Sequence, residues 1–356
     1  MNLKKILINK LLIKFLIISK LFSQGLWVKH GFEIFDYILD APSVALGSAN
    51  ISHNTQSISS SIINPINSYN NIKFLSITHQ SRFAGIVNSE LLGFQLARKD
   101  KLIKINLIYE GIGKIPDTQE MLLDWGYDGQ FGTNDLGEGN GILDEGERLD
   151  IDQIRYFNQS RVGLYGAFKH KIRDMPIGFG LKMLSHSLGD HSSLGVGLDF
   201  GIEKKIKEYN IGLVLRNIPS SGIIWDNGTI EGTLPNLSIG FHAPYNFSNL
   251  KVLQIDLMAR FDVKIFNSHM DSQIRYYNMT YDLALGLEGT YKEKFSLRIG
   301  RDFLMNITGG IGLKWDNIII DYAFAPTNSN KYLGNNHLIT INLSYEWIIE
   351  IFSNKS

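Results

Sequence analysis

The residues of this chain whose types and spacing could do chemistry gather in one acidic, glycine-rich run, Asp124-Trp-Gly-Tyr-Asp-Gly-Gln-Phe-Gly-Thr-Asn-Asp-Leu-Gly-Glu-Gly-Asn-Gly-Ile-Leu-Asp-Glu-Gly-Glu147. Oxygen-bearing side chains are interleaved with glycines. A calcium ion takes six to eight oxygens, from a chain able to curl tightly around it. Glu138, Asn140, Gly141, Asp144 and Glu147 fall at the third, fifth, sixth, ninth and twelfth positions of an EF-hand-like frame. The first position would be Leu136, which cannot ligate, and Asp135 or Asn134 substitutes for it. A second, poorer frame runs from Asp124 through Asp128 and Gly129 to Asp135. The candidate Ca2+ ligands are therefore Asp124, Asp128, Asn134, Asp135, Glu138, Asn140, Asp144 and Glu147. The alternative is an acidic, solvated loop.

Other reactive residue types form no comparable set. His186, Asp190, His191 and Ser192 have the composition of a hydrolase triad, but they share one short hairpin in which a triad's geometry is hard to build. Gly309, Gly310 and Gly312 sit inside a strand pattern and indicate a kink or close packing, not a phosphate cradle. The chain has no cysteine, which excludes disulfides, thiolate chemistry and cysteine-ligated metals. Its 35 basic and 35 acidic residues cancel, so no electrostatic footprint for nucleic acid exists. These residues predict a protein that is not an enzyme.

The elements that position the acidic run are strands. Leu253, Ile255, Leu257, Ala259, Phe261 and Val263 alternate with Gln254, Asp256, Arg260 and Asp262. Leu194, Val196, Leu198 and Phe200 alternate with Gly195, Gly197, Asp199 and Gly201, and residues 337–348 alternate as far as Tyr345 and Trp347. Strand side chains switch faces with period 2, so each such segment has one apolar and one polar face. Ionisable residues facing a packed soluble core would be costly, whereas facing a hydrated lumen they are cheap. The pattern predicts an all-β fold, a transmembrane antiparallel barrel of about fourteen strands at 72–82, 88–98, 102–110, 160–170, 177–187, 193–204, 209–217, 236–243, 251–265, 281–290, 294–301, 306–315, 317–325 and 337–348. Short links mostly alternate with longer ones at 111–159, 218–235, 266–280 and 326–336, although three links on the long-loop side, 83–87, 188–192 and 302–305, are also short. Short periplasmic turns and long external loops are expected of such barrels, so 111–159 is assigned outside the cell.

The barrel region, 72–356, is preceded by two other segments. Lys4, Lys5, Lys10 and Lys14, the apolar Phe15-Leu-Ile-Ile-Ser19 and the small-residue Phe22-Ser-Gln-Gly25 predict a signal peptide over 1–24. An amphipathic helix lying on a membrane is the alternative. Residues 25–71 do not alternate and predict a lumen plug or a periplasmic arm, with a disordered leader as the alternative. Together these features place the protein in the outer membrane of a Gram-negative bacterium, in contact with its lipid.

Four segments resemble a known family. Phe35-Asp-Tyr-Ile-Leu-Asp-Ala-Pro-Ser-Val-Ala-Leu-Gly-Ser-Ala49 with Ile63-Asn-Pro-Ile-Asn67, then Leu215-Arg-Asn-Ile218 with Leu234-Pro-Asn-Leu-Ser-Ile-Gly240, resemble the PorV/PorQ outer-membrane proteins. So do Gly310-Ile-Gly-Leu313, Asp321-Tyr-Ala-Phe-Ala-Pro326, Leu333-Gly334 and His337-Leu-Ile-Thr-Ile341. Val44, Ser48 and Ile66 stand where arginine, glycine and alanine are usual. The resemblance implies a fourteen-stranded barrel akin to the FadL-type transporters. It also implies a role in type IX secretion: engaging the C-terminal signal domains of cargo at the cell surface and passing them to the translocon or attachment machinery. Ile223, Ile224 and Trp225 in one external loop, with Tyr332 and Leu333 in another, are the expected partner contacts, since apolar clusters at loop tips mark interaction surfaces; the alternative is that they pack over the barrel mouth. The alternative function is a FadL-like passive channel for hydrophobic small molecules.

Overall fold

A computed structural model describes residues 27–28, 31–67, 74–98, 101–172, 175–246, 252–265, 272–326 and 334–353. The signal-peptide segment and the expected contacts Tyr332 and Leu333 lie outside the described residues.

The polar–apolar alternation resolves into fourteen barrel strands. They are β1 (Phe74–Arg82), β2 (Val87–Arg98), β3 (Lys101–Asp117), β4 (Arg155–Ile172), β5 (Met175–Leu188), β6 (His191–Ile206) and β7 (Tyr209–Arg216). They continue as β8 (Asn236–Asn246), β9 (Leu253–Ile265), β10 (Met279–Tyr291), β11 (Phe295–Arg301), β12 (Ile307–Trp315), β13 (Ile318–Ala325) and β14 (Asn336–Ser344). Each pairs antiparallel with its sequence neighbours, and β1 pairs with β14 from Phe74↔Ser344 to Ser81↔His337. That pairing closes the sheet, leaving no edge whose amides would be unsatisfied in hydrocarbon.

The two faces follow the alternation. Leu257, Leu285, Leu287, Leu297, Ile299, Leu313 and Ile339 are exposed on the outside, where lipid covers them. Asp256, Arg260, Asp262, Glu288, Arg298, Thr340 and Asn342 are buried on the inside. Exposed aromatics ring the short-turn end at Tyr209, Tyr245, Tyr291, Phe295 and Trp315. Phe261, Tyr276 and Tyr322 stand towards the other end. Two aromatic girdles flanking an apolar band are the signature of an outer-membrane barrel, and this chain is one.

Two boundaries differ from the sequence reading. The last strand stops at Ser344, and residues Tyr345–Ser353 form helix α4, so Tyr345 and Trp347 are not strand residues. The cause is local: from Trp347 the sequence runs Trp-Ile-Ile-Glu-Ile-Phe, which abandons period 2. Tyr345 anchors the helix by accepting a hydrogen bond from the Gln95 amide at 3.0 Å. The long external link is also shorter than 111–159, because β3 and β4 project beyond the band and pair as far as Asp117↔Arg155. A bulge between Ile112 and Ile115, with Lys114 at φ 55°, bends this projecting ribbon.

Leu257→Arg places a charge on the lipid face at a cost of roughly 2–4 kcal/mol near mid-bilayer. It should reduce the heat-modifiable folded form in outer membranes, while Gln254→Arg, on the lumen face, should leave it intact. Equal behaviour of the two variants on unboiled gels would reverse the assigned facing.

Candidate functional site in the barrel lumen

The lumen is filled by the chain's own N-terminal part. Three short helices, α1 (Ile34–Tyr37), α2 (Ala41–Ala45) and α3 (Ser60–Ile63), are strung on irregular backbone, and most residues from Phe32 to Asn67 are buried. Helix α2 begins where its sequence says it should. Asp40 caps it by accepting from the Ser43 amide at 2.9 Å, and Pro42 sits in the first turn. Gly47 and Ser48, at φ 63° and 61°, then reverse the chain.

Short helices and irregular segments leave many carbonyls and amides without internal partners. The wall supplies them. Arg216 donates to the Ile62 and Ile63 carbonyls at the end of α3, at 3.1 and 2.6 Å. Lys104 donates to the Asn67 carbonyl at 2.7 Å, and Arg260 to that of Ser48 at 3.2 Å. Thr308 donates to the Ala45 carbonyl at 3.0 Å, while Thr340 accepts from the Ala41 amide at 2.8 Å. Wall glycines admit the plug backbone: a Cβ at Gly300 would collide with Leu46 and Gly47, and one at Gly178 with Pro65 and Ile66. Of the strand glycines singled out in the sequence, Gly310 packs against Ala45, which is the close-approach role.

The lumen divides into two chemically distinct parts. One is an apolar cluster in which Phe32, Ile34, Phe35, Ile38 and Leu39 pack against Leu91, Ile108, Tyr165, Leu184 and Val214 of the wall. Above it, the segment 217–235 folds as a hairpin, residues Ser221–Trp225 and Ile230–Thr233, whose first arm pairs with β6. This corrects one expected partner contact. Ile223 is buried in the apolar cluster, because the hairpin alternates and turns it inward. Trp225 is half-buried, edge-on to His186 at 5.0 Å, and only Ile224 of the three points outward. Towards the short turns lies the second part, a cavity of about 260 Å³ bordered by His53, Gln254, Asp256, Glu288 and Arg298.

Several buried charges in the lumen form acid–base pairs, which offset their desolvation. Lys182 meets Asp199 at 2.9 Å, and Tyr165 donates to Asp199 at 3.3 Å. Arg298 bridges Glu288 and Asp321 at 2.8 and 2.6 Å. Tyr37 of the plug donates to Glu110, which also pairs with Arg82 and Arg161. No catalytic relay assembles from the hairpin candidates. His186 is buried in the lumen, and His191 and Ser192 both contact the loop residue Asp226.

The acidic run is an exposed external loop between Thr118 and Ile154, held mainly by its own carboxylates. Asp124 accepts from the Gly139 and Gly141 amides at 2.8 and 2.6 Å, Asp135 from Asp128 at 2.9 Å, and Glu138 from Gly132 and Asn134 at 2.5 Å each. Glu147 accepts from Gly126 and Asp144 at 2.9 and 2.8 Å, and Asn140 donates to Asp144 at 2.6 Å. The Gly141 amide, followed by that of Gly139, holds the Asp124 carboxyl below the usual carboxylate range. The loop thus brings Asp124, Glu138 and Glu147 to the centres of tight backbone turns. Among the described residues it does not converge three acidic or histidine side chains on one point.

No protein-family model matches this sequence, and no curated protein matches it either. Solved structures do. The toluene transporter TodX of Pseudomonas putida is 12% identical, over 90% of this chain and 98% of that one, at a TM-score of 0.49. A Pseudomonas aeruginosa FadL homologue is 11% identical, over 86% and 98%, at 0.46. The deltaS2 mutant of the TodX monoaromatic hydrocarbon channel is 10% identical, over 88% and 100%, at 0.51. The chain therefore has a FadL-like outer-membrane barrel fold.

Two outcomes test the lumen and the loop. Gly300→Leu forces a side chain into the Leu46–Gly47 backbone, so residues 32–67 should become protease-sensitive while the barrel stays heat-modifiable; continued protection would show that the plug does not rest on this wall. Calcium binding at 124–147 would slow proteolysis of the loop in millimolar calcium relative to chelator. Glu147→Ala, which also removes the clamp on Gly126 and Asp144, should be cut fast in both; identical wild-type digestion with and without calcium leaves only the solvated loop.

Proposed function

We propose that this protein is a passive outer-membrane channel for small hydrophobic molecules, gated by its N-terminal plug. The observation that carries the reading is the apolar cluster between Phe32–Leu39 and the wall, which sits inside a barrel whose lumen is otherwise lined with polar and charged groups. An apolar solute gains roughly 25 cal/mol for each Å² of apolar surface it removes from water, so such a patch is where it would partition. The lining is built on short elements: helices of four and five residues, α1 and α2, have too few internal hydrogen bonds to hold themselves. A solute entering beside Phe35 competes directly with the contacts that seat them. The fold neighbour named as a monoaromatic hydrocarbon channel is consistent with the same class of cargo.

A second reading, engagement of type IX cargo at the cell surface, is favoured by the PorV/PorQ-like segments and by the outward-facing Ile224. In that reading the resembling residues serve the scaffold. Gly240 and Gly310 give the plug room beside Ile51 and Ala45, and Asp321 pairs with Arg298.

Uptake separates the two. Vesicles or cells bearing the protein should admit a monoaromatic hydrocarbon or a fatty acid at least about tenfold faster than controls. Phe35→Asp should abolish the gain with the heat-modifiable barrel unchanged, because a carboxylate in the apolar cluster raises the barrier to an apolar solute by several kcal/mol. No gain in uptake, together with loss of cargo display in an Ile224→Ser variant, would replace the channel with the secretion reading.

A further inference from the structure

The polar end of the lumen holds a group of side chains that neither function uses. His53 comes from the plug, His242 from β8, Asp256 from β9 and Glu288 from β10. One ligand atom from each of His53, His242 and Asp256 lies within 4.8 Å of the others, and among the described residues this is the one such group. The two imidazole rings are 4.7 Å apart between centroids, tilted by 55°. His53 Nε2 stands 3.0 Å from Glu288 Oε2, and His242 Nε2 stands 2.8 Å from Asp256 Oδ1. His242, Asp256 and Glu288 are 6%, 2% and 5% exposed, so these groups are nearly dry.

The register makes this arrangement costly as it stands. Asp256 and Glu288 are direct partners across the β9–β10 ladder, both on the lumen face. Like charges directly opposite one another destabilise a sheet. Asp321 adds a third carboxylate to the same hydrogen-bonded set, in which Arg298 is the permanent cation and the imidazoles of His53 and His242 carry charge only when protonated. Buried charge of one sign needs a counter-charge, and a divalent cation is the compact solution.

We propose that His53, His242 and Asp256 bind a divalent transition metal of the zinc class, which pins the plug to the wall, with Glu288 beside His53 in the surrounding shell. Two imidazoles and one carboxylate are a donor set that suits Zn2+, at bond lengths of about 2.0–2.2 Å, with water in the fourth position. Tetrahedral geometry at those lengths places ligand atoms roughly 3.3 Å apart, so a set that now lies within 4.8 Å must draw together around the ion. The outer shell is in place. Arg298 holds one oxygen of Glu288 at 2.8 Å, and Gln254 donates to both oxygens of Asp256 at 3.1 and 2.9 Å. Asn210 lies 3.1 Å from His242 Nδ1. With its amide turned, the Asn210 carbonyl accepts Nδ1–H and frees the Nε2 lone pair for the metal, the arrangement that orients most metal-bound histidines. The adjacent cavity, bordered by Gln254 and Glu288, supplies an entry path from the short-turn side.

The full chain, purified in detergent and stripped with chelator, should bind one Co2+ with the intense visible bands of a tetrahedral site, and Zn2+ should displace them. His53→Gln and His242→Gln each keep a hydrogen-bond donor towards their carboxylate, so the plug contacts survive while the bands are lost. Asn210→Ala should weaken binding about 10–100-fold without removing a ligand. Excess Ca2+ should displace nothing, which separates this site from the acidic loop. Identical Co2+ spectra in wild type and the His53→Gln/His242→Gln double variant, or no tetrahedral bands in wild type, would reduce the group to two hydrogen-bonded pairs and overturn the proposal.

Discussion

The structure depends on one constraint: an irregular chain inside a barrel must find hydrogen-bond partners that are neither water nor its own helices. Residues 32–67 contain helices too short to satisfy their own termini. Every unsatisfied buried carbonyl would cost about 1–3 kcal/mol. Arg216, Lys104 and Arg260 meet that demand from the wall with long side chains, and Thr308 with a hydroxyl where the plug lies closer. The polar inner face is therefore a set of partners for the plug more than a lining for water.

The same constraint explains the wall's composition. Where the plug backbone touches the sheet, the sheet has glycine, as at Gly178 and Gly300. Where it stands further off, the wall has a cation or a hydroxyl. Charges that serve the plug then require their own counter-charges, as in the pairs Arg260–Asp262 and Arg216–Asp36. Glycine in a strand weakens the strand itself. Here the plug's contacts and the closed ladder compensate.

Apolar and polar halves of the lumen follow from where the plug puts its few large side chains. Phe32, Ile34, Phe35 and Ile38 fall within seven residues and gather on Tyr165 and Ile108, while Ser- and Asn-rich residues 50–61 occupy the polar part. A segment that fills the lumen with two kinds of surface can both exclude water and present a patch that apolar solutes enter. It also places His53 beside His242 at the short-turn end, the contact on which the proposed metal lock rests.

How much was legible in the sequence tracks the range of the interactions involved. Strand existence, number and facing depend on period 2 within about ten residues, so they could be read directly: Leu257 outward and Asp256 inward need no tertiary information. Strand ends were less legible, because β3 and β4 extend past the membrane by pairing with each other and Trp347 turns helical where alternation fails. The inward turn of Ile223 depends on the hairpin's register against β6, which no local pattern encodes. Residues 25–71 could be read only as plug or arm, since a chain without periodicity carries no instruction about which surface it meets. Only the closed barrel decides that, by offering carbonyl partners and glycine gaps in the lumen. His53, His242, Asp256 and Glu288 are likewise silent as a sequence, being single residues far apart in the chain; strand register and the path of the plug bring them together, and both are properties of the whole fold.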